Sequence, residues 1–260
     1  TYTYDKLGRE TGTIEYILDS DETLKKVEKR TTLNWEGEPL TEEILVNDMV
    51  QRRTAYEYDK RGFLTKVTEP GNRVTLYEYD RGGRLIAKVL PENYIPNTSI
   101  SNMNRNVYTY DKLDRVITEG FTGVDGKFDE NGKWNESSSK TTIIHAAYKY
   151  DGAGNVIKKL DAVAYKNASG SDAAQKIEKG YGTEYAYNPM NKVTAVLDAE
   201  SKEKYNRTLS SAPQRFKYDA LGRKMEEIVL REKANGTSYS IYESITKFTY
   251  DDAGNIIKTE

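Results

Sequence analysis

Cysteine is absent from the 260 residues, and histidine occurs once, at His145. Without cysteine there is no disulfide framework and no thiolate nucleophile, and a single histidine cannot build a histidine-based metal site. A Ser-His-Asp triad would have to use His145, which alternation through Ile144, Ala146, Tyr148 and Tyr150 places on the face opposite those tyrosines. No Gly-x-Ser-x-Gly elbow, phosphate-binding glycine loop or His-Glu-x-x-His motif occurs. No apolar run approaches the roughly 18 residues of a membrane-spanning helix. A cysteine-free chain of this length favours a bacterial surface protein over an animal extracellular domain, where disulfides are common.

Apolar residues are also scarce. They make up 37% of the chain, while 31% is charged, against an apolar share of about 45 to 50% in ordinary globular domains. Such a composition argues against a thick two-sheet core and for a sheet wetted over much of both faces. Lys and Arg (39) nearly balance Asp and Glu (41), for a net charge of −2; this gives no electrostatic case for a nucleic-acid partner. The densest basic run, Lys25 to Arg30, alternates with apolar residues and faces the acidic stretch Glu36 to Glu43 across an expected Glu-Gly-Glu-Pro turn, as in a salt-laced hairpin.

What the chain does have is a repeat. Eight times an aromatic pair two residues apart runs into a four-residue turn, with first aromatics at Tyr2, Tyr56, Tyr77, Tyr108, Tyr148, Tyr185, Phe216 and Phe248. The second aromatic and turn then read Tyr4-Asp5…Gly8, Tyr58-Asp59…Gly62, Tyr79-Asp80…Gly83, Tyr110-Asp111…Asp114, Tyr150-Asp151…Gly154, Tyr187-Asn188…Asn191, Tyr218-Asp219…Gly222 and Tyr250-Asp251…Gly254. These copies hold 14 of the 21 tyrosines, so the aromatic excess belongs to an array.

Asp-x-x-Gly specifies a hairpin loop built on a type I turn with a glycine bulge: the carboxylate accepts backbone N–H groups ahead of it, and glycine supplies positive φ. The exceptions fit. Asn188 replaces Asp, Asp114 and Asn191 replace Gly, and Asn and Asp are the residues that best tolerate the left-handed region. Pro189 falls where its fixed φ suits the turn. Second strands follow the turns at Leu64–Val67, Leu85–Val89, Val156–Leu160 and Val193–Leu197. The fold class is therefore all-β, an array of antiparallel hairpins in one unit over residues 1–260.

Three stretches interrupt the repeat. Pro91 to Asn106 reads as a loop laid over the sheet, and Phe121 to Trp134 carries two turn signals, Asp125-Gly126 and Asn131-Gly132. Asp125, Asp129 and Asn131 are clustered oxygen ligands, but their spacing does not fit a calcium loop. Ser171 to Lys179, with a capping serine before it and Gly180 after it, is the one helix drawn from the sequence, an insertion over 171–179.

Glycosidase chemistry needs only two acids at the right separation. The seven aspartates at the first turn position have a better account as turn caps, since a catalytic acid is needed once. No catalytic, cofactor or metal residue is assigned. The tyrosine stripe suits cross-strand packing, with carbohydrate or peptide binding as the alternative.

Tyr-Asp-x-x-Gly-Arg-Leu, as in Tyr79-Asp-Arg-Gly-Gly-Arg-Leu85, with Tyr4 to Arg9, Tyr218 to Arg223 and Tyr150 to Asn155, resembles the YD repeat of the Rhs family over residues 2 to 255. That family includes bacterial Rhs and wall-associated polymorphic toxins, shells of insecticidal toxin complexes, and teneurins. The resemblance implies a curved or spiralling hairpin sheet, part of a hollow Rhs-type shell that is secreted or surface-displayed and encloses a C-terminal toxin domain, with flanking repeats as its other partner. Family shells often end in a region whose Asp-Pro sequence contributes to self-cleavage. Asp-Pro is absent here, so the expected segment, cut from a longer chain, carries neither protease nor toxin. The alternative is a surface module binding cell-wall glycan or a partner surface through exposed tyrosines; a carboxylate enzyme comes last.

Overall fold

The computed structural model describes residues 1–18, 20, 23–128, 130, 134–235 and 238–260. The described residues form an all-β fold of 18 antiparallel strands with three short α-helices. Its contacts divide it into two compact units: Thr1–Tyr108 with Phe121–Thr142, and Thr109–Gly120 with Ile143–Glu260.

In the first unit, β1 (Tyr2–Tyr4), β2 (Glu10–Leu18), β3 (Leu24–Leu33), β4 (Pro39–Val46), β5 (Met49–Tyr58), β6 (Leu64–Glu69), β7 (Arg73–Tyr79), β8 (Leu85–Val89) and β9 (Arg105–Tyr110) follow in order, each antiparallel to the next. The strands β10 (Val116–Phe128) and β11 (Trp134–Tyr150) run through both units. In the second, β12 (Val156–Asp161), β13 (Thr183–Tyr187), β14 (Val193–Leu197), β15 (Gln214–Tyr218), β16 (Lys224–Asn235), β17 (Ser238–Tyr250) and β18 (Ile256–Thr259) follow in order, each antiparallel to the next. The four second strands expected from the sequence all lie inside β6, β8, β12 and β14.

The β3–β4 hairpin is laced with charge as its sequence suggests. Buried Glu28 is held by Lys26 at 3.2 Å and Arg30 at 2.9 Å, and Arg30 also approaches Glu43 at 3.9 Å. Its turn, however, is Asn34 to Glu38 rather than Glu-Gly-Glu-Pro: the Asn34 N–H donates to the Glu38 carbonyl at 2.8 Å, and Pro39 already belongs to β4. Proline lacks an N–H and suits the first residue of a strand, so the loop closes one residue before it.

Asp125-Gly126 is not a turn either. β10 passes through it to Phe128, because a local two-residue signal yields where the strand ladder continues past it. The Asn131-Gly132 signal, and with it the Asp125, Asp129 and Asn131 ligand set, lies outside the described residues and side chains. The Pro91 to Asn106 stretch contains two single 3₁₀ turns, Pro91–Asn93 and Ile100–Asn102, and gives way to β9 at Arg105. It is pinned by Met103, 1% exposed.

The helices are α1 (Ala162–Asn167), α2 (Ala173–Lys179) and α3 (Ala199–Glu203), two more than the sequence reading draws. All three are capped by aspartate. Asp161, Asp172 and Asp198 accept the N–H three residues on at 2.7 to 2.8 Å; the cap of α2 is thus Asp172, not a serine. Two apolar clusters pack the second unit: Ala147, Leu160 and Ile177 of α2 form one, and Ala195, Leu197 and Ala212 form another without a residue from the three helices. Lys158 is buried beneath α2, where its ammonium donates to the Glu178 carbonyl at 2.8 Å and lies 3.6 Å from Glu184. Burial pushes the Lys158 pKa down, and the carbonyl end of α2 is the part of the helix that favours a cation.

Leu160 is 0% exposed and Leu221 is 76% exposed. Leu160→Ala should cost about 3 kcal/mol and Leu221→Ala within about 0.5 kcal/mol, measured as shifts of the urea unfolding midpoint.

Candidate functional site

The repeated side chains gather at the hairpin turns. At eight of them an Asx N–H donates to the carbonyl four residues on, and the residue three on returns an N–H to the Asx carbonyl: Asp5, Asp59, Asp80, Asp111, Asp151, Asn188, Asp219 and Asp251. Asn34 makes a ninth, which the sequence reading missed because Thr31 and Leu33 stand where the aromatic pair would be. Its signal, Asn-x-x-Gly, was nonetheless present.

The fourth position takes the left-handed conformation wherever it is glycine, from φ 76° at Gly8 to φ 96° at Gly37. The substitutes do the same, Asp114 at 61° and Asn191 at 57°. Eight of these turns are accompanied by a register shift just before them, as between Glu57 and Tyr58 or Lys149 and Tyr150, which is the bulge. Oδ1 of the Asx accepts two N–H groups in most copies: Leu7 and Arg9 on Asp5 at 2.8 and 2.9 Å, Ala153 and Asn155 on Asp151 at 2.9 and 2.8 Å, Met190 and Lys192 on Asn188 at 3.0 and 2.9 Å.

Oδ2 holds the side chain at the fifth position, a residue to which the sequence reading gave no role. Arg9, Arg84, Arg115 and Arg223 donate their Nε to Asp5, Asp80, Asp111 and Asp219 at 2.6 to 2.7 Å, and Asn155 and Asn255 donate their amides to Asp151 and Asp251 at 2.9 and 3.0 Å. Where the fifth residue is Phe63, Arg61 takes over. At the ninth turn the polarity inverts, with Asn34 donating to Glu38 at 2.8 Å.

So fixed, the fifth side chain, or Arg61 in its stead, reaches the next hairpin. In the first unit Arg9 donates to the Asn34 carbonyl at 3.0 Å, and Arg61 to the Asp80 carbonyl at 2.8 Å. In the second, Arg115 donates to the Asp151 carbonyl at 2.8 Å, Asn155 to Asn191 Oδ1 at 2.9 Å, and Arg223 to the Asp251 carbonyl at 3.2 Å.

The tyrosine before five of the turns makes the return bond. Tyr58 donates its hydroxyl to the Pro39 carbonyl at 2.9 Å, Tyr150 to Val116 at 2.7 Å, Tyr187 to Val156 at 2.8 Å, Tyr218 to Val193 at 2.8 Å and Tyr250 to Lys224 at 2.7 Å. Every acceptor is the residue five beyond the preceding Asx. Arg115 and Arg223 complete the clasp by lying 4.7 and 4.8 Å over the Tyr150 and Tyr250 rings. At Gly83 the clasp is apolar: Phe63 stacks on Tyr79 at 5.1 Å, and a Cβ on Gly83 would sit 2.5 Å from the Phe63 ring.

The electrostatics follow this geometry. Asp5, Asp80 and Asp219 are held below the ordinary carboxylate value, chiefly by the backbone N–H of Arg9, Arg84 and Arg223, and Asp151 and Asp251 chiefly by the amides of Asn155 and Asn255. At Asp59 and Asp111 burial pushes upward most strongly but is outweighed, by the Arg61 side chain and the Arg115 N–H respectively together with their neighbours. Burial raises Tyr58, Tyr79, Tyr150 and Tyr187, and Tyr58, Tyr150 and Tyr187 stay neutral donors. Tyr56 is pushed up to about 12 by its bond to Glu42.

His145 stands apart, exposed, with Nε2 3.9 Å from Glu119. Among the described residues no group of three or more His, Asp or Glu is placed to hold a metal ion. No helix among them is long and apolar enough to cross a membrane.

Residues 58–93, spanning the Asp59 and Asp80 turns with β6, β7 and β8, match the family model described as RHS Repeat. Residues 58–93 carry the RHS repeat. The seven other turns described above share the geometry of the two inside the matched segment. Over 98% of its length the chain is similar to the crystal structure of TcdB2-TccC3-Cdc42, at 18% identity and a TM-score of 0.40. For TcdB2-TccC3 without its hypervariable C-terminal region the figures are 97%, 20% and 0.40. For the Photorhabdus luminescens Tc holotoxin pore they are 97%, 17% and 0.40. The chain spans 13 to 14% of those much longer chains. No curated protein matches it in sequence.

Tyr150→Phe removes only the hydroxyl bonded to Val116 and should cost about 1 kcal/mol; Tyr16→Phe, at a tyrosine 64% exposed, should leave the urea midpoint unchanged. The turn aspartates titrate lower in the folded than in the unfolded chain. Their contribution is therefore complete above the ordinary value of 3.8 and is lost as pH falls through the folded value. The urea midpoint should hold between pH 7 and about 5 and fall steeply below about 4. Asp219→Asn, which keeps the turn as Asn188 does, should flatten that acid limb.

Proposed function

We propose that this chain is a non-catalytic wall segment of an Rhs-type shell, one hairpin array over residues 1–260 that encloses a C-terminal toxin or effector domain of a secreted or surface bacterial protein. The observation that carries this reading is the turn-to-turn clasp. The aspartates, arginines and tyrosine hydroxyls that an active site would deploy are bonded to each other and to neighbouring backbone, hairpin after hairpin. Such bonding builds area rather than depth, as a wall requires. The thin core agrees: the largest fully buried side chains are Met103, Leu160, Leu197, Val89 and Thr118, and none is aromatic. Flanking repeats and the cargo are the partners of this wall, and the chemistry of the parent protein belongs to the cargo.

The stripe tyrosines do not favour a glycan-binding role, because five of their hydroxyls are engaged with backbone carbonyls. In the full-length parent protein, the cargo should resist protease and remain inactive. Arg115→Ala combined with Arg223→Ala should make it digestible. A cargo equally accessible in the unmutated protein would sink the reading.

A further inference from the structure

In the second unit five turns stand side by side, each tied to the next. Arg115 donates to the Asp151 carbonyl, Asn155 to Asn191 Oδ1 and Arg223 to the Asp251 carbonyl, and a Cβ on Gly222 would lie 3.8 Å from Met190 Sδ. Two strands separate one turn from the next, a step of about 10 Å, so the row runs for about 40 Å along the turn edge of this unit.

The third position of every turn in the row is apolar: Leu113, Ala153, Met190, Leu221 and Ala253. At four of them the N–H of that residue is drawn inward to Oδ1 of the Asx at 2.8 to 3.0 Å. All five residues are exposed, Leu113 at 68% and Leu221 at 76%. Turn chemistry does not demand this, because in the first unit the same position holds Leu7, Glu36, Arg61 and Gly82. A single exposed leucine needs no explanation, whereas apolar residues aligned along one edge mark a contact surface.

The order of sizes and charges along the row identifies what covers it. We propose that the row docks on a second copy of this chain, turned end for end about a two-fold axis through the Asn188 turn. Leu113 then faces Ala253 of the second copy, Ala153 faces Leu221, and Met190 faces Met190, so that a large side chain meets a small one on both sides of the axis. The second positions of the turns agree: Lys112 faces Asp252, Gly152 faces Ala220, and Pro189 faces Pro189. Lys112 and Asp252 are exposed and have no ion-pair partner among the described residues, which leaves both free to pair across the axis. Two rows running in the same direction would instead set Lys112 on Lys112, Asp252 on Asp252 and alanine on alanine, adding repulsion at both ends and gaps between. An edge of this length and one turn wide covers about 500 Å² per copy, against roughly 800 Å² in a standard interface, so the dimer is weak and reversible.

The test is sedimentation equilibrium of the 260-residue chain over a concentration series from about 10 μM to about 1 mM, the range in which a weak dimer dissociates. A reversible monomer–dimer equilibrium is expected. Leu221→Asp should weaken it tenfold or more by placing a charge in the apolar row, with the urea midpoint unchanged. Lys112→Asp should weaken it about tenfold, since an aspartate then opposes Asp252 at both ends, and Lys112→Asp combined with Asp252→Lys should restore it. Lys6, Lys60 and Asp252 occupy this turn position in the chain as it stands, so neither exchange disturbs the turn. Leu7→Asp, on a turn of the first unit, should associate normally. A monomer throughout the series, a dimer indifferent to Leu221→Asp, or a double charge variant that associates no better than Lys112→Asp alone overturns the proposal.

Discussion

The structure depends on one Asp or Asn side chain at each repeated turn. Oδ1 of the turn aspartate gathers backbone N–H groups of the loop, which closes the type I turn and its bulge. Oδ2 then anchors the fifth side chain, so that an arginine with many rotamers is held in one. An arginine fixed at one end can serve the neighbouring turn at the other at little further entropic cost. The tyrosine closes the circuit by donating back to the hairpin before it. Local turn chemistry is thereby converted into lateral cohesion.

This explains how so little apolar material suffices. Repeat architectures gain stability from neighbour interfaces rather than from a single centre, and here much of the interface is polar and directional. Where insertions occur the balance changes. The second unit holds two compact apolar clusters, one of them closed by Ile177 of α2, and buries Lys158, which is tolerated because a helix-end carbonyl and Glu184 receive it. The first unit instead buries scattered residues such as Leu45, Val74 and Val89.

Much of this was legible in the residues. Asp-x-x-Gly with its Asn and Asp substitutes located eight of the nine turns, since the geometry is decided within five residues and tolerates few alternatives. The Asn34 turn was readable by the same rule but hidden by the want of an aromatic pair. Asp161 and Asp198 carried capping signals that went unread because α1 and α3 span only 6 and 5 residues, too few for a periodic pattern. Asp125-Gly126 misled in the opposite sense: a strong local signal was overridden by strand pairing.

By itself the sequence determined the hairpins, their order and the conformation of each turn, because those rest on interactions among residues a few positions apart. What only the tertiary structure decided is who meets whom across hairpins: that Arg115 finds the Asp151 carbonyl 36 residues away, that Tyr187 finds Val156, and that Met190 lies against the turn of Gly222. Those pairings depend on register and on the length of each insertion, which no local spacing encodes.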